Sequence, residues 1–469
     1  MDLTFQEIVA ATKGSAFGLS EKELARRIQG VSIDSRQVQP GDLFFALRGE
    51  RYDAHTFLSD VISKKGVAAV VDRRWAQKNR AHFPNAHLIV VNDTLEALQE
   101  AAAFYRSKFR IPVVAVTGSN GKTTTKEMTA AVLTQKKRVL KNAGNLNNHI
   151  GLPLTLFQLT HETEIAVVEM GANHFGEIAR LCEIAQPDFG LITNIGAAHL
   201  QYFGSLQNVA RAKAELFEYL SRQNGLAFVN LDDPLVSKIA EKRKRIWSFA
   251  FSKDADVRGE WVRLDSWGQP VFKISGTEIR LNVPGTHQAQ NALAAAAVGL
   301  FFNLPLEDIK KGLESFRGVS KRMELVETGE ILILNDSYNA NLNSMEQALK
   351  TLAHIRHQRG GRAIAVLGDM LELGAESEKN HRRVGEWVAE TGVSFLLTFG
   401  NEARAIHETA LRKGVDQAVH FDKKADLQKF LANLLRGGDL VLVKGSRGME
   451  METIVNFLRR EFSVHPAEQ

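Results

Sequence analysis

The sequence predicts an α/β protein of three domains, and three observations carry this prediction. The chain has 469 residues, and a domain usually holds about 150, which suggests about three domains. Short apolar runs alternate with helical patterns, which is typical of parallel sheets covered by helices on both faces. The pattern of apolar runs and helical segments changes near residues 106–112 and again near 316–330. We therefore expect domains at 1–105, 106–318 and 319–469.

Residues 1–105 predict a small α/β domain. The turn Pro40-Gly41-Asp42 precedes an apolar run at 43–47, and further runs follow at 66–71 and 88–91. These runs are rich in the aliphatic residues that favour strands, and turn-forming residues bound them.

Residues 106–318 predict a central domain with a parallel sheet. Strand patterns at 113–116, 165–168, 190–193 and 226–229 alternate with helical patterns such as 123–135 and 206–220. From 257 to 283 the turns Asp265-Ser266-Trp267-Gly268 and Ser275-Gly276 indicate β-hairpins instead, and an Ala-rich helix follows at 289–300.

Residues 319–469 predict a compact Rossmann-like domain. Five strand patterns, at 331–334, 363–367, 395–399, 418–421 and 440–443, are separated by amphipathic helical patterns. The Gly-x-Gly signature of dinucleotide-binding domains does not follow the first of them, so we do not expect a dinucleotide here.

Composition narrows the functional classes. Hydrophobic residues make up 44% of the chain and charged residues 24%, which excludes bulk disorder. The longest apolar run, 292–302, is too short to cross a bilayer, which needs about 20 residues. Acidic residues near the N-terminus and the single Cys182 favour a cytoplasmic protein with no intrachain disulfide. The net charge of +5 is mild, so it is weak evidence for nucleic acid and fits an anionic small substrate equally well. We expect no nucleic acid as a partner and no membrane insertion.

A phosphate-binding loop is the strongest single motif. The strand pattern at 113–116 runs into a Gly-rich turn, and a helix begins directly after it. Backbone N–H groups at such a helix start face a phosphate, the lysine reaches the β- and γ-oxygens, and the threonine can hold Mg²⁺. The loop is a shortened form, because Val116 stands where the usual first glycine would be. The predicted ATP-binding residues here are Gly118, Ser119, Asn120, Gly121, Lys122, Thr123 and Thr124.

Two polar residues follow neighbouring strand patterns. Glu169 ends the pattern at 165–168, and His199 comes shortly after the one at 190–193. Open parallel sheets bind ligands at the carboxyl ends of their strands. Each residue alone is more often an ordinary strand-end residue, but the two together favour a Mg²⁺ site.

Taken together, these motifs resemble the Mur ligase family, ATP-dependent enzymes that add amino acids to the peptidoglycan precursor. The resemblance runs from Asp34 to Arg447, with Gln288 standing where the family often has Asn. It rests on the strings at 117–123 (Thr-Gly-x-Asn-Gly-Lys-Thr), 144–153 (an Asn-rich loop), 169–172 (Glu-Met-Gly-Ala), 194–200 (Asn-Ile-Gly-x-Ala-His-Leu), 212–215 (Ala-Lys-x-Glu) and 285–295.

Within that family, Asp53-Ala54-His55 and the strings at 335–341 and 367–374 most resemble the member that joins D-alanyl-D-alanine to UDP-N-acetylmuramoyl-tripeptide. This likeness implies an acyl-phosphate intermediate, UDP-N-acetylmuramoyl-pentapeptide as product, and a monomeric cytoplasmic enzyme. It also implies ATP and Mg²⁺ as cofactors, with two ions and a carbamylated lysine at Lys213.

The resemblance assigns roles to residues outside the phosphate loop as well. The implied catalytic residues are Lys122, Lys213 and His199. The implied metal ligands are Thr123, Glu169, His199 and carbamylated Lys213. Further ATP contacts would come from Asn291, Arg322 and Asp336. Substrate contacts would come from Ser35, Arg36, Asn145, Asn148, Tyr338, Asn339, Lys444, Ser446 and Arg447.

Several alternatives stay open at this point. Glu372 is either a catalytic residue or a helix-start cap near the cleft. The chain could instead be another ligase of the superfamily, either the enzyme that adds the third residue or a folylpolyglutamate synthase. A P-loop switch or motor ATPase is a more distant alternative, because it leaves the Asn-rich loop and Asp34-Ser35-Arg36 without a purpose.

Overall fold

The computed structural model describes residues 1–49, 52–64 and 67–463. Its strands are β1 Ser15–Phe17, β2 Val31–Ser32, β3 Leu43–Phe45, β4 Ala68–Asp72, β5 His87–Val91, β6 Val113–Thr117, β7 Val139–Lys141, β8 Ile165–Glu169, β9 Phe189–Ile192, β10 Leu226–Asn230, β11 Ile246–Ala250, β12 Val257–Leu264, β13 Pro270–Ile274, β14 Thr277–Arg280, β15 Glu324–Thr328, β16 Ile331–Asp336, β17 Ala363–Gly368, β18 Phe395–Phe399, β19 Ala418–Phe421 and β20 Leu440–Lys444.

The α-helices are α1 Phe5–Ala11, α2 Glu21–Leu24, α3 Leu58–Ile62, α4 Arg73–Asn79, α5 Thr94–Ser107, α6 Lys122–Leu133, α7 Gly151–Leu156, α8 Glu177–Ala185, α9 Leu200–Phe203, α10 Leu206–Arg222, α11 Pro234–Ala240, α12 His287–Phe301, α13 Leu306–Ser315, α14 Leu342–Arg359, α15 Ser377–Thr391, α16 Arg404–Arg412, α17 Lys424–Leu434 and α18 Glu452–Glu461. Short 3₁₀ helices lie at Ala54–Phe57, Arg80–His82, Gly374–Glu376 and Arg447–Met449.

The strands form three sheets, which confirms the predicted α/β class. One has five strands in the order β1-β5-β4-β3-β2. Another has nine in the order β14-β13-β12-β11-β10-β9-β6-β8-β7, and the third has six in the order β15-β16-β20-β17-β18-β19. In each sheet, some neighbouring strands are not consecutive in the chain. Parallel neighbours of this kind need crossover connections, which are usually helices.

Contacts divide the chain into two compact units. The first comprises Met1–Ala115, Lys137–Gly190 and Glu218–Gly225, and the second comprises Val116–Lys136, Leu191–Phe217 and Leu226–Gln469. The three-domain division with boundaries near residues 105 and 318 stays a prediction.

In the first unit, the five-stranded sheet is parallel except for β1, which pairs antiparallel with β5. Its strand β3 lies within the predicted run at 43–47, and β4 overlaps the predicted run at 66–71 and ends one residue later, although Gly66 falls outside the described residues. β5 covers the run at 88–91. The central strands are buried, because helices cover a parallel sheet on both faces. In the same unit β7 pairs in parallel with β8.

In the second unit, the predicted hairpin region is confirmed. β12 pairs antiparallel with β13, and β13 with β14, through turns at the predicted positions. The Ala-rich α12 follows, and most of its residues are buried because small side chains allow close helix packing on several sides. β10 and β11 add a parallel pair before the hairpins.

The six-stranded sheet also belongs to the second unit. All five predicted strands are present, and β16, β20, β17, β18 and β19 run parallel. Two hydrophobic clusters lie on it, one with residues of α14, α15 and α16 and one with residues of α17 and α18. The sequence pattern missed β15, which pairs antiparallel with β16 at the edge of the sheet. Edge strands are half-exposed, so their apolar residues are diluted by polar ones.

Within the described ranges, no helix combines the length and the apolar character that crossing a membrane would require.

Candidate nucleotide and metal site

The phosphate loop begins where β6 ends, and two glycines shape it. Gly118 has φ +142° and Gly121 has φ +77°, both in the region that favours glycine. A Cβ atom at Gly118 would lie 2.0 Å from Thr193 Oγ1, and one at Gly121 would lie 2.4 Å from Asn291 Oδ1. Neither position has room for a side chain, so the bare backbone is free to approach a phosphate at the N-terminus of α6.

Hydrogen bonds with residues 193–196 hold the phosphate loop in place. Ser119 Oγ donates to Gly196 O at 3.0 Å and accepts from Gly196 N at 2.8 Å. Asn120 N donates to Asn194 Oδ1, and Asn194 Nδ2 donates to Asn120 O, both at 3.0 Å. Thr193 Oγ1 donates to the same carbonyl at 2.6 Å. The loop is therefore rigid before any ligand binds, which lowers the entropic cost of binding.

The side chain of Lys122 folds back onto the phosphate loop that precedes it. Its Nζ donates to Gly118 O at 2.8 Å and to Ser119 O at 3.1 Å. Thr123 and Thr124, in the first turn of α6, are both buried. A fixed cation and a helix N-terminus at one loop form a site for a polyanion.

Asn291 packs against the start of α6. Its Oδ1 accepts from Thr125 Oγ1 at 3.2 Å, and its Nδ2 donates to Gln288 Oε1 at 3.0 Å. Gln288, where the family often has Asn, thus makes a hydrogen bond within α12. These bonds fix the Asn291 amide beside Gly121.

His199 meets a residue from far along the chain. Its Nδ1 lies 2.6 Å from Glu372 Oε2. The hydrogen bond with His199 holds the pKa of the Glu372 carboxyl below its usual range, although burial opposes this. The sequence left open whether Glu372 caps the start of a helix. It does not, because the N-cap residue of α15 is Glu376 and the N-cap residue of the preceding 3₁₀ helix is Leu373.

Lys213 is buried on α10. The sequence alone favours a solvated lysine at this position, yet only 2% of the residue is exposed. Its Nζ lies 5.9 Å from the centre of the Phe203 ring, within reach of a cation–π contact. A lysine enclosed in this way has an environment unlike that of an ordinary helix-surface residue.

Three of the predicted residues meet at the ends of β16 and β20. Lys444 Nζ donates to Asp336 Oδ2 at 2.5 Å and to Asn339 O at 2.9 Å. Asp336 Oδ1 also accepts from Met323 N at 3.1 Å. Ser446, just beyond, accepts from Leu371 N at 2.8 Å.

Tyr338 lies between two predicted arginines. The guanidinium of Arg322 is 3.9 Å from the centre of the Tyr338 ring, and that of Arg447 is 5.6 Å from it. Arg447 N also donates to Asn339 Oδ1 at 3.3 Å. The structure thus brings together most of the residues predicted in the range 319–469.

A hydrogen bond joins this part of the second unit to the phosphate loop. Asn341 Nδ2 donates to Asn120 Oδ1 at 2.7 Å. Asn341 also caps α14, because its Oδ1 accepts from Ser344 N at 3.0 Å. Asn341 lies in the family string at 335–341, but the sequence alone predicted no role for it.

In the first unit, Glu169 is buried at the end of β8 among asparagines. Its Oε1 accepts from Asn147 Nδ2 at 2.6 Å. Its backbone is held by Asn142, whose Oδ1 accepts from Glu169 N at 2.9 Å. Asn142 and Asn147 were not predicted as site residues, although Asn147 stands in the quoted Asn-rich loop.

The two predicted asparagines of that loop differ in their surroundings. Asn148 Oδ1 accepts from Ile150 N at 3.1 Å and from Gly151 N at 2.8 Å, so it stabilises the start of α7. Asn145 is exposed, and its carbonyl accepts from Asn147 N at 2.7 Å.

Arg36 and Asp34, also in the first unit, form a bidentate pair. Arg36 Nε lies 2.9 Å from Asp34 Oδ1, and Arg36 Nη2 lies 2.7 Å from Asp34 Oδ2. The guanidinium lowers the pKa of Asp34 to about 2. The neighbouring Ser35 accepts at its carbonyl from Lys64 Nζ at 3.1 Å. Asp34 uses the Nε and Nη2 donors, but the Arg36 side chain is 86% exposed, so an anionic ligand can reach the rest of the guanidinium from solvent.

The residues at the phosphate loop fit a nucleotide and a hard cation. The cradle at Gly118 and Gly121 excludes side chains, and in the second unit the Thr123 hydroxyl and the His199 imidazole are ligands that divalent cations accept. In the first unit, the buried Glu169 carboxylate is a further group of the type that Mg²⁺ prefers. Over residues 1–49, 52–64 and 67–463, no cluster of three or more His, Cys, Asp or Glu side chains is arranged to hold a metal ion. A metal here would therefore also use hydroxyl, phosphate or carbamate oxygens.

Comparisons with known proteins decide the family. Models of the Mur ligase family match residues 27–106 (Mur ligase family, catalytic domain), 116–299 (Mur ligase middle domain) and 321–447 (Mur ligase, glutamate ligase domain). The UDP-N-acetylmuramoyl-tripeptide--D-alanyl-D-alanine ligase of Bacillus subtilis is 38% identical over 92% of this chain and 93% of its own. This chain belongs to the Mur ligase family.

Solved structures of Mur ligases agree with this assignment. MurF from Acinetobacter baumannii is 35% identical, with a TM-score of 0.86 over 97% of this chain and 98% of its own. MurF ligase from Thermotoga maritima, solved in complex with ADP, is 28% identical, with a TM-score of 0.80 over 92% of this chain and 97% of its own. The predicted Mur ligase resemblance is thereby confirmed.

Proposed function

We propose that this Mur ligase joins D-alanyl-D-alanine to the terminal carboxylate of UDP-N-acetylmuramoyl-tripeptide, with ATP cleaved to ADP and phosphate. The observation that carries the proposal is the rigid glycine cradle with Lys122 in a chain that matches named tripeptide–D-alanyl-D-alanine ligases over nearly its full length. The ADP complex of the Thermotoga maritima relative supports ATP as the nucleotide.

The first chemical step is the activation of a carboxylate. A carboxylate oxygen of the tripeptide attacks the γ-phosphorus of ATP, the bond to the β-phosphate oxygen breaks, and ADP leaves. Both reactants are anionic, so the Lys122 ammonium and the N-terminus of α6 offset their repulsion. Bound Mg²⁺ would supply further positive charge at the phosphates, held by Thr123, Glu169 and His199.

The second step forms the amide bond. The amine of D-alanyl-D-alanine attacks the carbonyl carbon of the acyl phosphate, and phosphate leaves the tetrahedral intermediate. The amine loses a proton as the bond forms. We propose that Tyr338, Asn339, Lys444, Ser446 and Arg447 contact the substrates in this step, while Asn291, Arg322 and Asp336 contact ATP.

We propose further roles for residues of the first unit. The exposed guanidinium of Arg36, with Ser35, would bind the diphosphate of the UDP-sugar, because a planar fork matches phosphate oxygens in pairs. Asn145 and Asn148 would contact the same substrate. We also propose domains at 1–105, 106–318 and 319–469, each centred on one substrate.

Lys213 has a proposed role that depends on its burial. Carbamylation would replace an enclosed cation by an anion, which would help bind a second Mg²⁺. We propose that the enzyme acts as a monomer in the cytoplasm.

Phosphate release tests the proposed reaction. We expect release from ATP with UDP-N-acetylmuramoyl-tripeptide only when D-alanyl-D-alanine is also present. In mass spectrometry the product should be heavier than the tripeptide by the mass of the dipeptide less one water. Equal release with a free diamino acid or with glutamate would instead favour the third-residue enzyme or a folylpolyglutamate synthase. The comparisons do not favour these alternatives, since a solved third-residue ligase is only 18% identical to this chain.

A further inference from the structure

The contact between His199 and Glu372 involves unusual backbone at both residues. His199 has φ +54° and Glu372 has φ +62°, in the left-handed region that non-glycine residues rarely adopt. Such backbone is strained and persists where surrounding structure imposes it, often at functional sites. A second bond joins the same two segments, since Gln201 N donates to Glu372 O at 2.9 Å.

The loop that carries Glu372 is held from two sides. His381 is fully buried, and its Nε2 accepts from Met370 N at 2.9 Å. Ser446 Oγ accepts from Leu371 N at 2.8 Å, and Ser446 N donates to Asp369 O at 2.9 Å. These bonds fix the backbone on the residues just before Glu372, so its carboxylate is placed by the fold.

The other ring nitrogen of His199 is left without a protein partner. Across the described residues, no group hydrogen-bonds to Nε2, and the His199 side chain is 25% exposed. In metal-binding histidines, the ring nitrogen that does not bind the metal usually donates to a carboxylate or carbonyl, which fixes the tautomer.

We propose that Glu372 is a positioning residue for His199: its carboxylate keeps the proton on Nδ1 and thereby presents the Nε2 lone pair to a divalent cation. The metal part of this inference rests on the proposed function. An ordinary surface ion pair would also bring the two side chains together, but it would stabilise the protein little and would not need strained backbone on both sides. A doubly protonated His199 would have no lone pair, so the two arrangements differ in a measurable way.

Nitrogen NMR of the full chain tests the tautomer directly. In protein labelled with ¹⁵N-histidine, without metal at pH 8, long-range ¹H–¹⁵N correlations separate the two neutral tautomers. The His199→Gln variant identifies the His199 signals by their loss. We expect the Nδ1–H form in the unmodified protein, the Nε2–H form in Glu372→Ala, and retention of Nδ1–H in Glu372→Gln, whose amide oxygen still accepts.

Glu376→Ala is the matched control. Glu376 lies four residues on in the same segment, and its carboxylate pairs with Lys379 at 3.0 Å on the surface. We expect no change in the His199 tautomer there. The same tautomer in Glu372→Ala as in the unmodified protein, or an Nε2–H form from the start, would overturn the proposal.

The metal part has its own readout. The Mg²⁺ concentration for half-maximal phosphate release should rise about 10- to 100-fold in Glu372→Ala and little in Glu372→Gln. An altered tautomer with unchanged Mg²⁺ dependence would contradict the presentation of Nε2 to the metal. If the unmodified chain released no phosphate with D-alanyl-D-alanine but kept the Glu372-dependent tautomer, the proposed function would fail while the positioning of His199 would stand.

Discussion

Asp336 and Lys444 face each other on the adjacent parallel strands β16 and β20, and their charged groups lie 2.5 Å apart. Both side chains are largely buried, with 12% and 1% exposed. The family resemblance implies separate roles for them, ATP binding for Asp336 and substrate binding for Lys444. The structure makes them a single ion pair, so a change at either residue alters the other.

Because the two charges are buried together, we expect a single substitution to lower the free energy of unfolding more than the double substitution does. Lys444→Met leaves the Asp336 carboxylate buried without its cation, which should lower the free energy of unfolding by about 3–5 kcal/mol. The double variant Asp336→Asn/Lys444→Met should recover part of this loss. Urea unfolding followed by fluorescence measures both.

Lys350→Met is the control for that experiment. Lys350 pairs with Glu346 at 2.8 Å on the exposed face of α14, and such pairs contribute less than about 0.5 kcal/mol. If Lys444→Met were no more destabilising than Lys350→Met, the buried pair would not have the energetic importance that its geometry indicates.

The glycine cradle predicts a specific loss of nucleotide binding. In Gly121→Ala the new Cβ would lie 2.4 Å from Asn291 Oδ1, so the loop or the asparagine must move. We expect the Kd for ATP, measured by calorimetry, to rise at least about tenfold, which corresponds to about 1.4 kcal/mol.

The control variant Gly414→Ala distinguishes a steric clash of the new Cβ atom from the strain of a positive φ. Gly414 also has a positive φ, +91°, but a Cβ there would meet nothing within 4 Å. Its Kd for ATP should stay unchanged even if its thermal stability falls. An equal loss of ATP binding in both variants would mean that strain alone explains the effect.

His287 predicts a pH dependence of stability. Burial lowers its pKa from 6.5 to about 4, with Asp336 opposing this and Lys444 adding to it. The unfolded chain therefore takes up a proton below about pH 6.5 that the folded chain takes up only near pH 4. Stability is highest above pH 6.5 and falls as the pH drops toward 4, by up to about 3 kcal/mol from this group.

His287→Gln removes this contribution. The difference in free energy of unfolding between the two proteins should shrink or change sign in favour of the variant as the pH falls from 7 to 4. Urea titrations at several pH values measure it. A difference that stays constant over this range would show that His287 titrates alike in the folded and unfolded chains.

Lys213 predicts a dependence on dissolved CO₂. If the buried amine is carbamylated, activity in CO₂-depleted buffer should fall and bicarbonate should restore it. Lys213→Ala should lose most activity at low and at high bicarbonate. Near-normal activity of Lys213→Ala under both conditions would refute the carbamate.

Lys310→Ala serves as the comparison for Lys213. Lys310 is a half-buried helix residue paired with Glu314 at 3.9 Å. Because Lys310→Ala keeps Lys213, its phosphate release should depend on bicarbonate as in the unmodified protein. A loss of activity in this variant as large as in Lys213→Ala would show that the effect is not specific to Lys213.

The sequence alone predicted those elements whose pattern lies within a short stretch of the chain. The buried run that became β6, the glycines and lysine after it, and the hairpin turns between β12, β13 and β14 were all predicted, because each depends on residues adjacent in the chain. Family strings added the Mur ligase assignment, which the comparisons confirmed. The edge strand β15 was missed, since its pairing with β16 lies outside any local pattern.

Only the tertiary structure decided which distant residues meet. Glu372 is 173 positions from His199, and Lys444 is 108 from Asp336, yet each pair is in direct contact. The burial of Lys213 likewise depends on packing that a solvated-helix pattern does not reveal. Contacts of this kind depend on crossover connections that bring strand ends together, so no spacing in the sequence records them.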